Sequence, residues 1–126
     1  MKTVINTTNA PEPIGPYNQA IIAGGLIFVS GQIPLDHTTG NLITDDVTAA
    51  TKLVLNHIKS ILTAAGADFS HIVKTSIFLK DMNDFAKVNE VYGTYFTADF
   101  PARETVQVAA LPKGVQVEIS VIAVKP

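Results

Sequence analysis

The chain has 126 residues, no cysteine and a formal net charge of −2. That length makes a single domain, 1–126, with room for a core. A 47% hydrophobic and 16% charged composition excludes a disordered chain, and the lack of cysteine excludes disulfides, thiolate chemistry and cysteine metal ligands.

The lysines are scattered and form no basic stripe, so nucleic acid is not an expected partner. The first residues lack the long apolar core of a signal peptide. The longest apolar run, 20–29, is broken by Gly24-Gly25 and is shorter than the roughly 20 residues a bilayer requires. No membrane association is expected, and a cytoplasmic location fits the absence of cysteine. Low charge in so small a chain hints that other subunits cover part of its surface.

Residues 2–6 suit a short strand. Ala10-Pro11-Glu12-Pro13-Ile14-Gly15-Pro16-Tyr17 follows, a stiff extended or turning segment because proline fixes φ and restricts its predecessor. It ends on Tyr17, which either walls a site or packs with its hydroxyl on the backbone. Apolar runs at 19–23 and 26–29 flank Gly24-Gly25 and predict a tight hairpin. The second run enters Ser30-Gly31-Gln32-Ile33-Pro34. Gly31 permits close backbone approach, Ser30 is placed to donate to a ligand or to cap a turn, and Pro34 ends the ladder. Residues 36–41 read as a surface turn.

A long helix is expected over 44–65, with Thr44 as N-cap and Asp45 and Asp46 at the positive end of its dipole. Val47, Ala50, Val54, Ile58, Ile61 and Ala65 make its buried stripe, and Gly66 lies just past its end. His57 beside that stripe reads as structural. Residues 71–80 are apolar and β-branched and predict a buried strand. Asp81 or Asn83 then caps a second helix with Phe85, Val88, Tyr92 and Phe96 as its stripe. Asn89 borders that stripe, either exposed or aimed into a cleft.

The last third alternates strictly from 103 to 110 and from 115 to 123, which predicts a terminal hairpin with one core face and one polar face. Arg103, the only arginine in the chain, then shares the polar face with Glu118. A four-residue loop over 111–114 pairs Gln107 with Glu118 and leaves Arg103 roughly 13 Å away at about 3.3 Å per residue. The order of strand, hairpin, helix, strand, helix and hairpin gives an α+β domain with a mixed, mostly antiparallel six-stranded sheet. Both helices lie on one sheet face, and the uncovered face predicts an oligomer.

No metal spacing, phosphate-binding glycine loop or nucleophile–base pair appears, and the three histidines look isolated. What remains is one guanidinium, which fits a carboxylate bidentately, one carboxylate, and the polar groups of Tyr17, Ser30, Asn89 and Thr105. That inventory suits a small carboxylate and a water molecule.

Three segments carry a resemblance: Ile14-Gly15-Pro16-Tyr17; Val29-Ser30-Gly31-Gln32-Ile33-Pro34; and Pro101-Ala102-Arg103 with Leu111-Pro112-Lys113 and Val117-Glu118-Ile119. Lys80-Asp81-Met82-Asn83-Asp84-Phe85 with Val88-Asn89 adds to them. The chain resembles RidA-type members of the Rid (reactive intermediate deaminase, YjgF) family over nearly its whole length. The resemblance implies a chorismate-mutase-like fold and a homotrimer with clefts between subunits. It implies hydrolysis of 2-imino or enamine acids, such as 2-iminobutanoate and 2-iminopropanoate with its enamine 2-aminoacrylate, to 2-keto acids and ammonia. No cofactor or metal is implied. Arg103 would hold the substrate carboxylate and Glu118 would orient or activate water. Tyr17, Ser30, Gly31, Asn89 and Thr105 would line the cleft. A non-catalytic small-carboxylate sensor on the same fold is the alternative.

The chain departs from that pattern twice. Thr105 stands where relatives often have cysteine, and Glu104 stands where they carry a small or hydroxyl residue. Alternation points Glu104 away from Arg103.

Overall fold

Gly24 and Gly25 both have positive φ, 59° and 77°, as a two-residue hairpin turn with right-handed twist demands. In the computed structural model, which describes residues 1–126, they join β2 (Ala20–Ala23) to β3 (Leu26–Gln32). β1 (Thr3–Ile5) adds to the outer side of β2. The register of β3 slips between Val29 and Gln32, a bulge that includes Gly31.

α1 runs Val47–Ala64, and its N-cap lies two residues later than expected. Asp46, not Thr44, is the N-cap: its backbone is extended and its carboxylate accepts from the Ala49 amide at 3.0 Å. Gly66 past the helix end has φ +81°, as expected for the terminating residue. The stripe Val47, Ala50, Val54, Ile58, Ile61 and Ala65 is buried, as its spacing predicts.

β4 (Ile72–Leu79) leads through one 3-10 turn into α2 (Phe85–Gly93). Asp81 caps that turn by accepting from the Asn83 amide at 2.9 Å. Phe96 falls beyond the helix but still packs on Tyr92, ring centroids 4.9 Å apart. β5 (Ala102–Gln107) and β6 (Val117–Val124) complete the sheet.

The strand order is β1-β2-β3-β6-β4-β5. This overturns the expected terminal hairpin. β5 does not pair with β6; it runs parallel to β4 at the sheet edge, and β6 inserts between β3 and β4. A parallel neighbour needs a crossover, which α2 supplies. The composition gives the physical reason. β4 and β6 bury alternate residues almost completely, whereas β5 reads Ala-Arg-Glu-Thr-Val-Gln and has no fully buried residue. A charged strand of that kind suits an edge.

α1 and α2 cover one face of the sheet. There Ile27, Val29, Ile77, Leu79, Val117, Ile119, Val121 and Ala123 pack against the α1 stripe in one core. The other face carries Phe28, Lys74, Ser76, Phe78, Glu104, Val106, Glu118 and Ser120 and has no helix over it, as expected. Phe28, Val106 and Val124 are each about 40% exposed: 41%, 40% and 42%.

Candidate active site

Arg103 stands beside Thr75 on β4, and Thr75 beside Val121 on β6. Residues paired across a ladder share a face, so Arg103 belongs to the helix side of the sheet. Its guanidinium lies over the rings of Tyr92 and Phe85, with Cζ 5.1 and 5.7 Å from the centroids. One nitrogen, Nη1, donates to Asn89 Oδ1 at 2.7 Å. The ion pairs of the chain are His71 with Asp68 and Lys74 with Glu104, and neither involves Arg103. The arginine is half-buried and meets a neutral acceptor rather than a carboxylate. Asn89, Tyr92, Gly93, Phe100, Pro101 and Arg103 line an open cavity of about 460 Å³. Thr105 is two residues on, on the same face of β5, and its Oγ1 is buried without a hydrogen-bond partner.

Glu118 stands beside Phe78, and Phe78 beside Val106. Thr75 and Phe78 are three positions apart on one strand, so their side chains point oppositely. Glu118 is therefore on the open face, not on the same face as Arg103 as the hairpin register implied. Burial raises its pKa above the usual carboxylate range. Its carboxylate lies against the Gly31 backbone: a Cβ at position 31 would come within 2.3 Å of Oε2. Gly31 thus makes the space that Glu118 occupies.

Tyr17 and Gly31 border a small crevice of about 40 Å³ with Ile14, Gln32 and Ile33. Tyr17 is 49% exposed. Ser30 Oγ donates to the Asn18 carbonyl at 2.7 Å, so its hydroxyl joins two chain segments rather than capping a turn. The Gln19 carboxamide donates to the Pro11 carbonyl at 2.8 Å and accepts from the Thr7 amide at 2.7 Å, which ties the proline-rich segment to β2.

The sequence-predicted residues therefore form two clusters within one chain. Arg103, Asn89 and Thr105 lie on the helix side at the β5 edge. Glu118, Gly31, Tyr17 and Ser30 lie toward the open face at the β3 bulge. Tyr92 and Phe85 belong to the first cluster as well, although the helical stripe marks them only as core. Phe85, Asn89 and Tyr92 are spaced four and three apart, which puts them on one side of α2.

Glu104 is turned away from Arg103, as alternation predicts. It pairs with Lys74 at 2.9 Å and accepts from Ser76 Oγ, and these contacts lower its pKa. The histidines are not all isolated: His37 and His57 meet edge to face, centroids 5.5 Å apart. His57 is buried and donates Nε2–H to the Leu35 carbonyl at 2.7 Å, and burial lowers its pKa. It is structural. No group of three His, Cys, Asp or Glu side chains is gathered to hold a metal, and no helix is long and apolar enough to cross a membrane.

The family model described as Endoribonuclease L-PSP matches residues 7–125. The chain is 50% identical to the 2-iminobutanoate/2-iminopropanoate deaminase of Mus musculus, an alignment covering 99% of this chain and 93% of that protein. Its fold is similar to that of a Rid-family protein of unknown function from Yersinia pestis, with TM-score 0.96, 49% identity, and coverage of 98% of this chain and 99% of that one. It is also similar to E. coli TdcF with bound serine, with TM-score 0.93, 44% identity, and coverage of 98% and 99%. Full-length identity at this level, with the motifs and sheet order described above, shows that the chain belongs to the Rid (YjgF, L-PSP) family.

Proposed function

We propose that this protein hydrolyses 2-imino acids, among them 2-iminobutanoate and 2-iminopropanoate, to 2-keto acids and ammonia. The observation that carries this reading is Arg103: a half-buried, fully charged guanidinium beside a cavity, with no carboxylate of its own chain to neutralise it. Its free donors fit a ligand carboxylate bidentately. The full-length likeness to mammalian deaminases supports the same substrate class.

In the proposed reaction Arg103 holds the substrate carboxylate and places the imine carbon. Glu118, as carboxylate, takes a proton from water while the water oxygen bonds to that carbon. The proton then goes to nitrogen to give a carbinolamine. Glu118 next takes the hydroxyl proton and passes it to the amine as the carbon–nitrogen bond breaks, so that ammonia leaves and the carbon–oxygen double bond of the keto acid forms. The desolvation that raises the Glu118 pKa makes it a better base at neutral pH. Imines hydrolyse unaided, so positioning supplies most of the gain. Tyr17, Gly31 and Ser30 bound the water end, and Thr105 offers its unpartnered hydroxyl at the arginine end.

Within one chain Arg103 and Glu118 are on opposite sheet faces. A cleft that uses both is completed by a second copy, and the uncovered sheet face supplies the surface on which copies meet. A homotrimer with sites between subunits, working in the cytoplasm, is the assembly we propose.

The test is a dehydratase-coupled assay in which semicarbazide traps remaining imine. Addition of this protein lowers the trapped imine; undiminished trapping contradicts the reading. One observation favours a second reading, a small-carboxylate sensor: a solved relative holds serine, a stable amino acid. A sensor binds such ligands and leaves imine trapping unchanged. RNA cleavage, which the name of the family model raises, has little support in a chain of net charge −2 with scattered lysines.

A further inference from the structure

Arg103 touches three side chains of α2: Phe85, Asn89 and Tyr92. They hold the guanidinium in complementary ways. The two rings present π faces, which attract a cation without cancelling its charge. The Asn89 carboxamide accepts one N–H at 2.7 Å and fixes the rotation of the guanidinium plane. Tyr92 is itself fixed, because its hydroxyl donates to buried Thr75 Oγ1 at 3.0 Å. Thr75 is the residue paired with Arg103 across the ladder, so the support closes on the strand beside the one that carries the arginine.

The acceptor at position 89 is an amide, although an aspartate has nearly the same shape. An aspartate would bind the guanidinium more tightly and neutralise it, and an incoming anion would then have to displace it. We infer that Phe85, Asn89 and Tyr92 form a cradle that orients Arg103 while leaving its charge available, with Asn89 and Tyr92 as positioning residues that act through the arginine. This deepens the proposed function and rests on it, since the anion it serves is the substrate carboxylate.

The experiment compares wild type, Asn89→Asp and Asn89→Ala for calorimetric binding of 2-oxobutanoate and of its uncharged analogue 2-oxobutanamide, alongside imine trapping. Asn89 is exposed, so both variants fold, and thermal melting checks this. N89D weakens 2-oxobutanoate binding about ten-fold or more because it adds a competing charge, and N89A weakens it less, about five-fold. The amide analogue is affected less than two-fold by either. In trapping assays N89D raises KM and leaves kcat within about three-fold of wild type. Unchanged 2-oxobutanoate binding by N89D, or equal losses for the two ligands, overturns the cradle while active wild type leaves the deaminase reading standing. Wild type that neither lowers trapped imine nor binds 2-oxobutanoate overturns both.

Discussion

Arg103 and Glu118 lie on opposite faces of one sheet, separated by β4 and three positions of register. The arginine faces the helices at the β5 edge, and the carboxylate sits on the open face beside the β3 bulge. A single chain thus presents the two groups of the proposed site, one cationic and one acidic, on opposite faces.

Removal of Arg103 tests the cationic half. Arg103→Ala lowers kcat/KM for imine hydrolysis by about 10²-fold, the loss of a charge-assisted bidentate contact worth roughly 3 kcal/mol. Arg103→Lys recovers only part, because an ammonium lacks the planar fork. Neither changes the oligomeric state measured by size-exclusion chromatography with light scattering.

Glu118 predicts a specific pH dependence. Its pKa is raised by desolvation, so protonation switches off the base as pH falls through a value above the usual carboxylate range. The rate profile has an acid limb there, and Glu118→Gln lowers activity by about 10²–10⁴-fold and removes that limb from the residual rate. The stability effect has the opposite sense. A carboxyl with a raised folded-state pKa disfavours the fold once charged, so stability falls as pH rises from the unfolded pKa through the folded one. E118Q therefore melts higher than wild type above that window and equally below it.

Gly31 is required by contact rather than by dihedral strain. An alanine Cβ would meet Glu118 Oε2 at 2.3 Å and Cδ at 2.8 Å. The carboxylate is the free end of a flexible side chain and gives way, so the fold survives while the base is displaced. Gly31→Ala lowers kcat by about ten-fold or more for a displacement of this size. Its melting temperature stays within a few degrees of wild type.

Glu104 is the control beside the site. Its contacts are Lys74 and Ser76 on the exposed face. Glu104→Gln changes kcat/KM less than about two-fold, as expected for a carboxylate on the sheet face opposite the arginine. A large rise in substrate affinity on this substitution would mean that Glu104 reaches Arg103 in solution.

Asp46 tests the corrected helix start. Asp46→Ala removes the side-chain bond to the Ala49 amide. It costs about 1 kcal/mol of stability, while Thr44→Ala costs a few tenths at most. Thermal denaturation at neutral pH separates the two.

Local signals carried much of the fold. Two glycines turned β2 into β3, and a 3.6-residue stripe marked α1 against the sheet. Alternation placed Glu104 away from Arg103, but it could not give strand neighbours. β5 and β6 alternate equally well whether they pair or flank β4. The clue was chemical: Arg103, Glu104, Thr105 and Gln107 crowd into one short strand, whereas 72–79 and 117–124 are apolar enough to be central. With β5 paired to β6, Arg103 would share the face of Glu118; with β5 beside β4 it does not. The aromatic support of Arg103 was hidden for a related reason, because Phe85 and Tyr92 fit a helical core stripe as well as they fit a cation. The His37–His57 contact joins a turn to a helix through space, and no spacing rule reports it.

Subunit complementation tests the central claim, that the two halves meet between copies. Arg103→Ala and Glu118→Ala chains alone each retain about 1% of wild-type activity or less. If they are refolded together in equal amounts, random assembly of a cyclic oligomer gives about a quarter of the interfaces both intact residues. The mixture then recovers about a quarter of wild-type imine hydrolysis per site. A mixture as inactive as either variant alone would place Arg103 and Glu118 in the same chain's site and contradict the shared cleft.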